Sequence, residues 1–86
     1  MFYVYVLKSR VDESLYMGET EDLRRRFKEH NTGQSKYTKS KIPWILVYYE
    51  AYRSKSDARR REIRLKKFKN SYTELKKRIG SSLYEA

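Results

Sequence analysis

Two tyrosines, an arginine, a histidine and a glutamate are the residues of this sequence whose types and spacing suit them to chemistry. Tyr5 and Tyr16 lie in two short aromatic and aliphatic runs that can pair as a hairpin and bring the two rings face to face. Arg26 and His30 are one helical turn apart. Glu62 shares a helical face with apolar residues, where a carboxylate is costly unless a cation or a hydrogen-bond donor satisfies it. We therefore expect these five side chains to meet at one face of a sheet.

Three short strands supply that sheet. Residues 2–7 and 15–18 are rich in aromatic and β-branched side chains, which is typical of strands joined by a polar hairpin loop. The continuous apolar run at residues 44–49 is typical of a strand that is covered on both faces. Residues 34–43 are polar and basic and end in a proline, so we predict a loop there.

Helices follow the second and third strands. Thr20 can cap a first helix, which ends near residues 31–33. A second helix is predicted over residues 55–69, and a shorter one over residues 71–78 that ends at Gly80. The order of elements predicts an α+β fold in which a three-stranded antiparallel sheet is flanked by helices, ββαβα plus a short C-terminal helix.

One small domain accounts for the chain. Of its 86 residues 38% are apolar and 15% aromatic, which supplies a single small core; we predict a domain over residues 1–80 and a frayed tail over residues 81–86. Cysteine is absent, which removes disulfides and thiolate metal sites and favours a reducing compartment. No apolar run approaches 18 residues, and the first apolar run precedes its positive charges, the reverse of a signal peptide. We expect a cytoplasmic protein with no membrane partner.

A polyanionic partner is indicated by the charge. The chain carries 21 Lys and Arg against 11 Asp and Glu, a net charge of +10. Residues 1–52 have a net charge of +2 and residues 53–86 a net charge of +8, which concentrates the excess on the second half. Nucleic acid, and DNA first of all, is the expected partner of such a surface, although a solvated basic face without a partner is the alternative. The candidate contacts are Arg24, Arg25, Lys28, Lys39, Lys41, Arg59, Arg60 and Arg64.

The order of these motifs resembles the GIY-YIG nuclease domain. The first motif reads Tyr3-Val4-Tyr5, the second reads Tyr16-Met17-Gly18, and the arginine helix reads LRRRFKEH from Leu23 to His30. Arg61-Glu62 stands in a later helix, as in that family. The resemblance covers residues 2–69 and is closest to short stand-alone members of the family, for which a monomer is expected.

The resemblance implies a role for each residue. Glu62 would hold one divalent ion, Mg²⁺ or Mn²⁺, against the scissile phosphate, and Arg26 would steady the charge on that phosphate. Tyr5 or Tyr16 would be the general base toward the attacking water. Because the pKa of free tyrosine is about 10, this role requires a neighbouring cation such as Arg26 to lower it. His30 would orient water or relay a proton.

Other interpretations of the same residues stay open at this point. Glu62 can form an internal salt bridge with Arg26 or Arg61, Tyr16 can pack over a glycine, and His30 can be a core histidine. The remaining aromatic residues, Tyr3 among them, favour packing; Tyr3 stands where the family motif has glycine, and the second loop histidine of some relatives is missing.

The expected function is metal-dependent endonucleolytic cleavage of DNA or structured nucleic acid, with weak sequence specificity, in DNA repair or recombination. The first alternative is a nucleic-acid-binding module that has the same fold and basic surface without catalysis. The second is an adaptor that binds protein. Only a carboxylate-dependent cleavage would separate the enzyme from both.

Overall fold

A three-stranded antiparallel sheet divides the helices into two groups. The computed structural model describes all 86 residues, and the strands lie in the order β2-β1-β3. The predicted fold class and the order of the predicted elements are confirmed. The elements are β1 (Phe2–Ser9), β2 (Leu15–Thr20), α1 (Leu23–Asn31), β3 (Trp44–Tyr52), α2 (Lys55–Lys67), α3 (Lys69–Arg78) and α4 (Gly80–Glu85).

The alternation of side chains along β1 decides what each face of the sheet carries. Tyr5 and Leu7 point to one face and Val4 and Val6 to the other, and all four are buried. β1 is the central strand, so both of its faces are covered. In the register of the sheet Tyr5 lies opposite Gly18 of β2.

Two hydrophobic clusters fill the two sides of the sheet. Tyr5, Leu7 and Trp44 pack on the first side, against Leu23 and Phe27 of α1. The second side is covered by α2, α3 and α4, and its buried residues are Val4, Val6, Ala58, Leu65, Leu75 and Ile79. Full burial of a valine or leucine side chain contributes about 1.5–3 kcal/mol, so these two clusters hold the helices against the sheet.

The loop between α1 and β3 is anchored at both ends by side chains. The Asn31 amide donates to the Trp44 carbonyl at 2.9 Å and accepts from the Trp44 amide at 2.6 Å. The Trp44 indole N–H donates to the carbonyl of Thr38 at 2.9 Å, which draws Thr38 into the interior. The predicted loop is therefore an ordered segment, with a short 3₁₀ turn at Lys39–Lys41.

Two predicted helix ends differ from the structure. Asp22, not Thr20, is the N-cap of α1, and its carboxylate accepts from the Arg25 amide at 3.0 Å. Residues 81–86 were expected to fray, but Gly80 begins α4 because Leu83 packs against the second cluster and Lys8 donates to the Leu83 carbonyl at 2.8 Å. None of the helices has the length and apolar character needed to cross a membrane.

Candidate active site

A buried chain of hydrogen bonds lies under α1. The Tyr5 hydroxyl lies 2.8 Å from His30 Nε2, and His30 Nδ1 lies 2.7 Å from the Thr38 hydroxyl. All three side chains are almost completely buried. Burial, and then the positive charge of Arg26, lower the pKa of His30 from 6.5 to about 4, while Glu29 acts in the opposite direction. His30 is therefore a neutral imidazole with a partner on each ring nitrogen.

Gly18 makes room for the Tyr5 ring. A Cβ atom at this position would stand 2.5 Å from Tyr5 Cζ and closer still to the hydroxyl oxygen. Only glycine permits so close an approach. It is thus Tyr5, and not Tyr16, that packs over the glycine of the second motif.

Tyr16 lies beside Tyr5 rather than opposite it. Tyr16 pairs with Leu7, two positions along β1 from Tyr5, so the expectation that the two rings face each other directly was wrong. Both rings nevertheless stand on the same face of the sheet, because the pairs Tyr5–Gly18 and Leu7–Tyr16 are two residues apart. The Tyr16 ring meets His30 edge to face with 5.1 Å between ring centroids, so His30 contacts both tyrosines.

Arg26 brings a positive charge to the Tyr5 hydroxyl. Its guanidinium donates to Glu29 Oε1 at 3.0 Å and faces Tyr5. Burial raises the pKa of Tyr5 to about 12; Arg26 lowers it, whereas Tyr16 and Glu62 raise it further. Arg26 acts in the predicted direction, but burial outweighs it, so Tyr5 is a neutral phenol in the free protein.

Glu62 approaches the Tyr5 side chain from α2. α2 covers the opposite face of the sheet but also contacts β2, an edge strand. From there the negative charge of Glu62 raises the pKa of Tyr5. The Glu62 side chain is 23% exposed, and its Oε2 lies 3.2 Å from Lys66 Nζ. The alternative salt bridges to Arg26 and Arg61 are wrong, since Arg61 binds Glu50 instead. Glu62 is left with a partly open carboxylate.

The donor set suits a divalent ion that arrives with its substrate. No group of three or more His, Cys, Asp or Glu side chains lies close enough together to hold an ion by itself. Mg²⁺ commonly keeps several waters and binds through one or two carboxylates plus substrate phosphates. The single carboxylate of Glu62 fits that kind of coordination, in which phosphate and water supply the remaining oxygens.

The basic residues named above lie in different surroundings. Arg24, Arg25 and Lys28 are exposed on α1, and Lys39 is exposed in the loop. Lys41 lies 3.1 Å from Asp12 and ties the loop to the β1–β2 turn. On α2, where successive residues are about 100° apart, Arg59 lies on the Glu62 side, whereas Arg60 and Arg64 point away from it. Arg60 pairs with Asp57, and Arg64 lies over the Phe68 ring.

Three contributors to the site were not foreseen from the sequence. Thr38 lies in a loop without periodicity, and no local pattern indicates that it is buried against His30. Glu29 binds Arg26 at spacing i, i+3, and Lys66 binds Glu62 at spacing i, i+4. Both of these spacings are typical of helical ion pairs and are the signals that could have revealed them.

Four features together define a class of protein. They are the sheet order, the two tyrosines on one face, the arginine helix and the glutamate on the helix after β3. A family model described as the GIY-YIG catalytic domain matches residues 1–80. The chain belongs to the GIY-YIG family, a nuclease family.

Known proteins similar to this chain agree with that assignment. It is 48% identical over 67 residues to UPF0213 protein SH2523 of Staphylococcus haemolyticus, covering 77% of this chain and 80% of that protein. It is 48% identical over 68 residues to UPF0213 protein CPE1444 of Clostridium perfringens, covering 78% of this chain and 72% of that protein. The solution NMR structure of UPF0213 protein BH0048 from Bacillus halodurans is similar, with a TM-score of 0.54, 39% identity, and coverage of 87% of this chain and 81% of that one. These similar proteins therefore support the assignment of the chain to its family.

Proposed function

We propose that this protein is a metal-dependent endonuclease that hydrolyses phosphodiester bonds in nucleic acid, with DNA as the first substrate to test. The observation that carries the proposal is the convergence of Tyr5, Tyr16, Arg26, His30 and Glu62 from two strands and two helices around one partly open carboxylate. That carboxylate has a single, partly exposed lysine as its partner, so acceptor sites on it remain open to a ligand.

The tyrosine and the histidine move the proton of the attacking water. As water attacks phosphorus, its proton passes to Tyr5 Oη while the Tyr5 hydroxyl proton passes to His30 Nε2. This transfer uses the tautomer in which the Nδ1–H of His30 donates to the Thr38 hydroxyl, which leaves Nε2 to accept. The P–O bond to the leaving oxygen breaks, and the leaving oxygen takes a proton from solvent. Because the pKa of Tyr5 is about 12, a concerted transfer replaces the need for a free phenolate.

Arg26 and Glu62 supply the charges around the phosphate. Arg26 turns from Glu29 to a non-bridging oxygen, and this change costs little because a partly exposed ion pair contributes about 0–1 kcal/mol. Glu62 would hold the divalent ion. When bound, the ion would polarise the scissile phosphate and stabilise charge on the leaving oxygen. The exposed cations of α1 and the Glu62 side of α2 would bind the phosphate backbone on either side.

One observation favours a second candidate, a nucleic-acid-binding module without catalysis. In the free protein Glu62 is bound to Lys66, so the carboxylate that would hold the ion already has a cation as its partner. Such a module would bind DNA with strong salt dependence, and loss of Glu62 would not weaken that binding.

A cleavage screen separates the two candidates. Branched, nicked, duplex and single-stranded DNA and RNA are incubated with Mg²⁺ or Mn²⁺ and the wild-type protein, Glu62→Gln, or Glu74→Gln as a control. Glu74 is an exposed carboxylate on α3 that, like Glu62, has a single lysine partner, Lys77. We expect metal-dependent cleavage by wild type and Glu74→Gln and loss of about 1,000-fold in Glu62→Gln. Equal cleavage by wild type and Glu62→Gln, or binding without cleavage in every case, would refute the enzyme.

A further inference from the structure

Lys66 occupies a position in the site that no family motif named above assigns. It lies one helical turn after Glu62 on α2, and its ammonium is 3.2 Å from Glu62 Oε2. The same ammonium stands 5.5 Å from the centroid of the Tyr16 ring, within cation–π distance. Lys66 thus contacts two of the residues proposed above to act in catalysis.

Lys67, the next residue along the chain, does not share the contacts of Lys66. Lys67 is also exposed on α2, but it points about 100° further around the helix and has no carboxylate or aromatic partner. Two cations therefore approach the tyrosine pair from different helices, Arg26 from α1 and Lys66 from α2.

The pair of Lys66 with Glu62 is easily exchanged. The Lys66 side chain is 44% exposed, and exposed ion pairs contribute about 0.2–1 kcal/mol. A divalent ion on Glu62 would repel the ammonium, which then turns on its flexible four-carbon stem. Nearby, the phosphate that accompanies the ion offers oxygens of opposite charge.

We propose that Lys66 is a further catalytic residue, whose ammonium leaves Glu62 and binds a non-bridging oxygen of the scissile phosphate when substrate and ion are present. The inference rests on the proposed endonuclease function and adds to it a second phosphate-binding cation opposite Arg26. It also makes Lys66 a competitor of the ion for Glu62 in the free protein.

This double role gives Lys66→Met two effects of opposite sign. Removal of the competing charge strengthens Mn²⁺ binding to the nucleic-acid-free protein by about two- to fivefold, the equivalent of one exposed ion pair. Removal of the phosphate contact slows cleavage by about 100-fold even when Mn²⁺ is saturating. A lysine that only positioned Glu62 would not produce this combination.

The experiment measures both quantities on four proteins: wild type, Lys66→Met, Lys66→Arg and Lys67→Met. Mn²⁺ affinity is measured by calorimetry without nucleic acid, and cleavage is measured under single-turnover conditions with saturating Mn²⁺ on the substrate that wild type cleaves best. Methionine keeps the unbranched stem of lysine, and circular dichroism with thermal melting confirms folding. We expect Lys67→Met to match wild type and Lys66→Arg to retain cleavage within about tenfold.

Three results would overturn the inference. Cleavage by Lys66→Met equal to that of Lys67→Met would show that Lys66 does not touch the phosphate, while leaving the endonuclease intact. Recovery of full cleavage by Lys66→Met at high Mn²⁺ would reduce Lys66 to a residue that positions Glu62. Absence of cleavage by wild type on every substrate would overturn the proposed function, and the role of Lys66 with it.

Discussion

Two clusters of the same composition lie on opposite faces of the sheet. The open cluster consists of Tyr5, Tyr16 and Arg26 on the side of α1 and of Glu62, which approaches them from α2 past the edge strand β2. The closed cluster consists of Tyr48, Tyr52, Arg61 and Glu50, and it lies between β3 and α2. Arg61 and Glu62 are neighbours in the chain, yet each enters a different cluster.

The clusters differ in how their carboxylates are satisfied. Glu50 accepts from both tyrosines and from two nitrogens of Arg61, at 2.9 Å from Nε and 3.0 Å from Nη2. Glu62 has only Lys66. Burial acts to raise the pKa of Glu50, but the hydrogen bonds from Arg61 and the tyrosines outweigh it and the pKa lies below 4.5. A carboxylate with every acceptor site used stabilises a fold, whereas one with an open oxygen is available to a ligand.

Perturbed tyrosines do not distinguish the two clusters. Burial raises the pKa of Tyr5 to about 12 in the open cluster and that of Tyr52 to about 12 in the closed one. The same direction of shift thus accompanies a proposed catalytic group and a structural one. The number of unused acceptor sites on the carboxylate is the more informative difference.

Among changes to the packing of either cluster, the largest expected effect comes from closing the space that Tyr5 needs. Gly18→Ala places a Cβ 2.5 Å from Tyr5 Cζ, so the ring must leave its position beside His30. We expect cleavage to fall about 100-fold and the free energy of unfolding to fall by about 1–3 kcal/mol. Gly80→Ala is the control, because no atom lies within 4 Å of the added Cβ. A Gly18→Ala protein that cleaves normally would show that the position of Tyr5 is not critical.

The closed cluster is tested by removing its cation. Arg61→Met leaves Glu50, whose side chain is 14% exposed, without a charged partner, and we expect the free energy of unfolding to fall by about 2–3 kcal/mol. Urea titration followed by circular dichroism measures this change. Arg60→Met, which removes an exposed pair with Asp57, should cost less than about 0.5 kcal/mol. Equal stability of the two variants would show that the closed cluster does not stabilise the fold.

A smaller effect is expected from pH, because the groups whose titration changes the free energy of unfolding differ between the two clusters. His30 is the single histidine, and burial lowers its pKa to about 4. Below pH 6.5 the unfolded chain takes up a proton that the folded protein does not, so stability present above pH 6.5 is lost as pH falls. We expect a loss of about 2 kcal/mol between pH 7 and pH 5. Glu50, whose pKa lies below 4.5, contributes stability that is lost only at lower pH.

The control for this pH effect is His30→Gln. Its free energy of unfolding at pH 7 can be lower than that of wild type, but it should be flat between pH 7 and pH 5. A wild-type protein with no slope in this interval would show that His30 is protonated as easily in the folded state as in the unfolded one. That result would contradict the buried, neutral histidine that contacts both tyrosines of the open cluster.

The sequence was sufficient to predict the fold class, whereas the roles of the residues in the open cluster stay predictions. Periodicity placed the three strands and the helices, and the order of the two tyrosine motifs, the arginine helix and Glu62 pointed to one site. The direct pairing of Tyr5 with Tyr16 was wrong because register depends on the hairpin turn, and a shift of two residues keeps both side chains on the same face. Short helix α4 was missed because its stability comes from tertiary contacts of Leu83 rather than from its own residues.

The partners of the charged residues could not be derived from the chain alone. A helical wheel places Arg61 and Glu62 on either side of the buried face of α2, but it does not say which of them turns to β3 and which to the edge of β2. Thr38 reaches His30 only because Trp44 and Asn31 fold the loop inward. These are long-range contacts, and local patterns carry no information about them.

The central claim is that Glu62 serves the reaction and Glu50 serves the fold. Glu62→Gln and Glu50→Gln are compared in one experiment that measures single-turnover cleavage and the free energy of unfolding of each protein. We predict that Glu62→Gln loses cleavage by about 1,000-fold with stability within about 1 kcal/mol of wild type, and that Glu50→Gln loses about 2 kcal/mol with cleavage within about threefold where it is folded. Wild-type cleavage by Glu62→Gln, or an inactive but folded Glu50→Gln, would contradict the account.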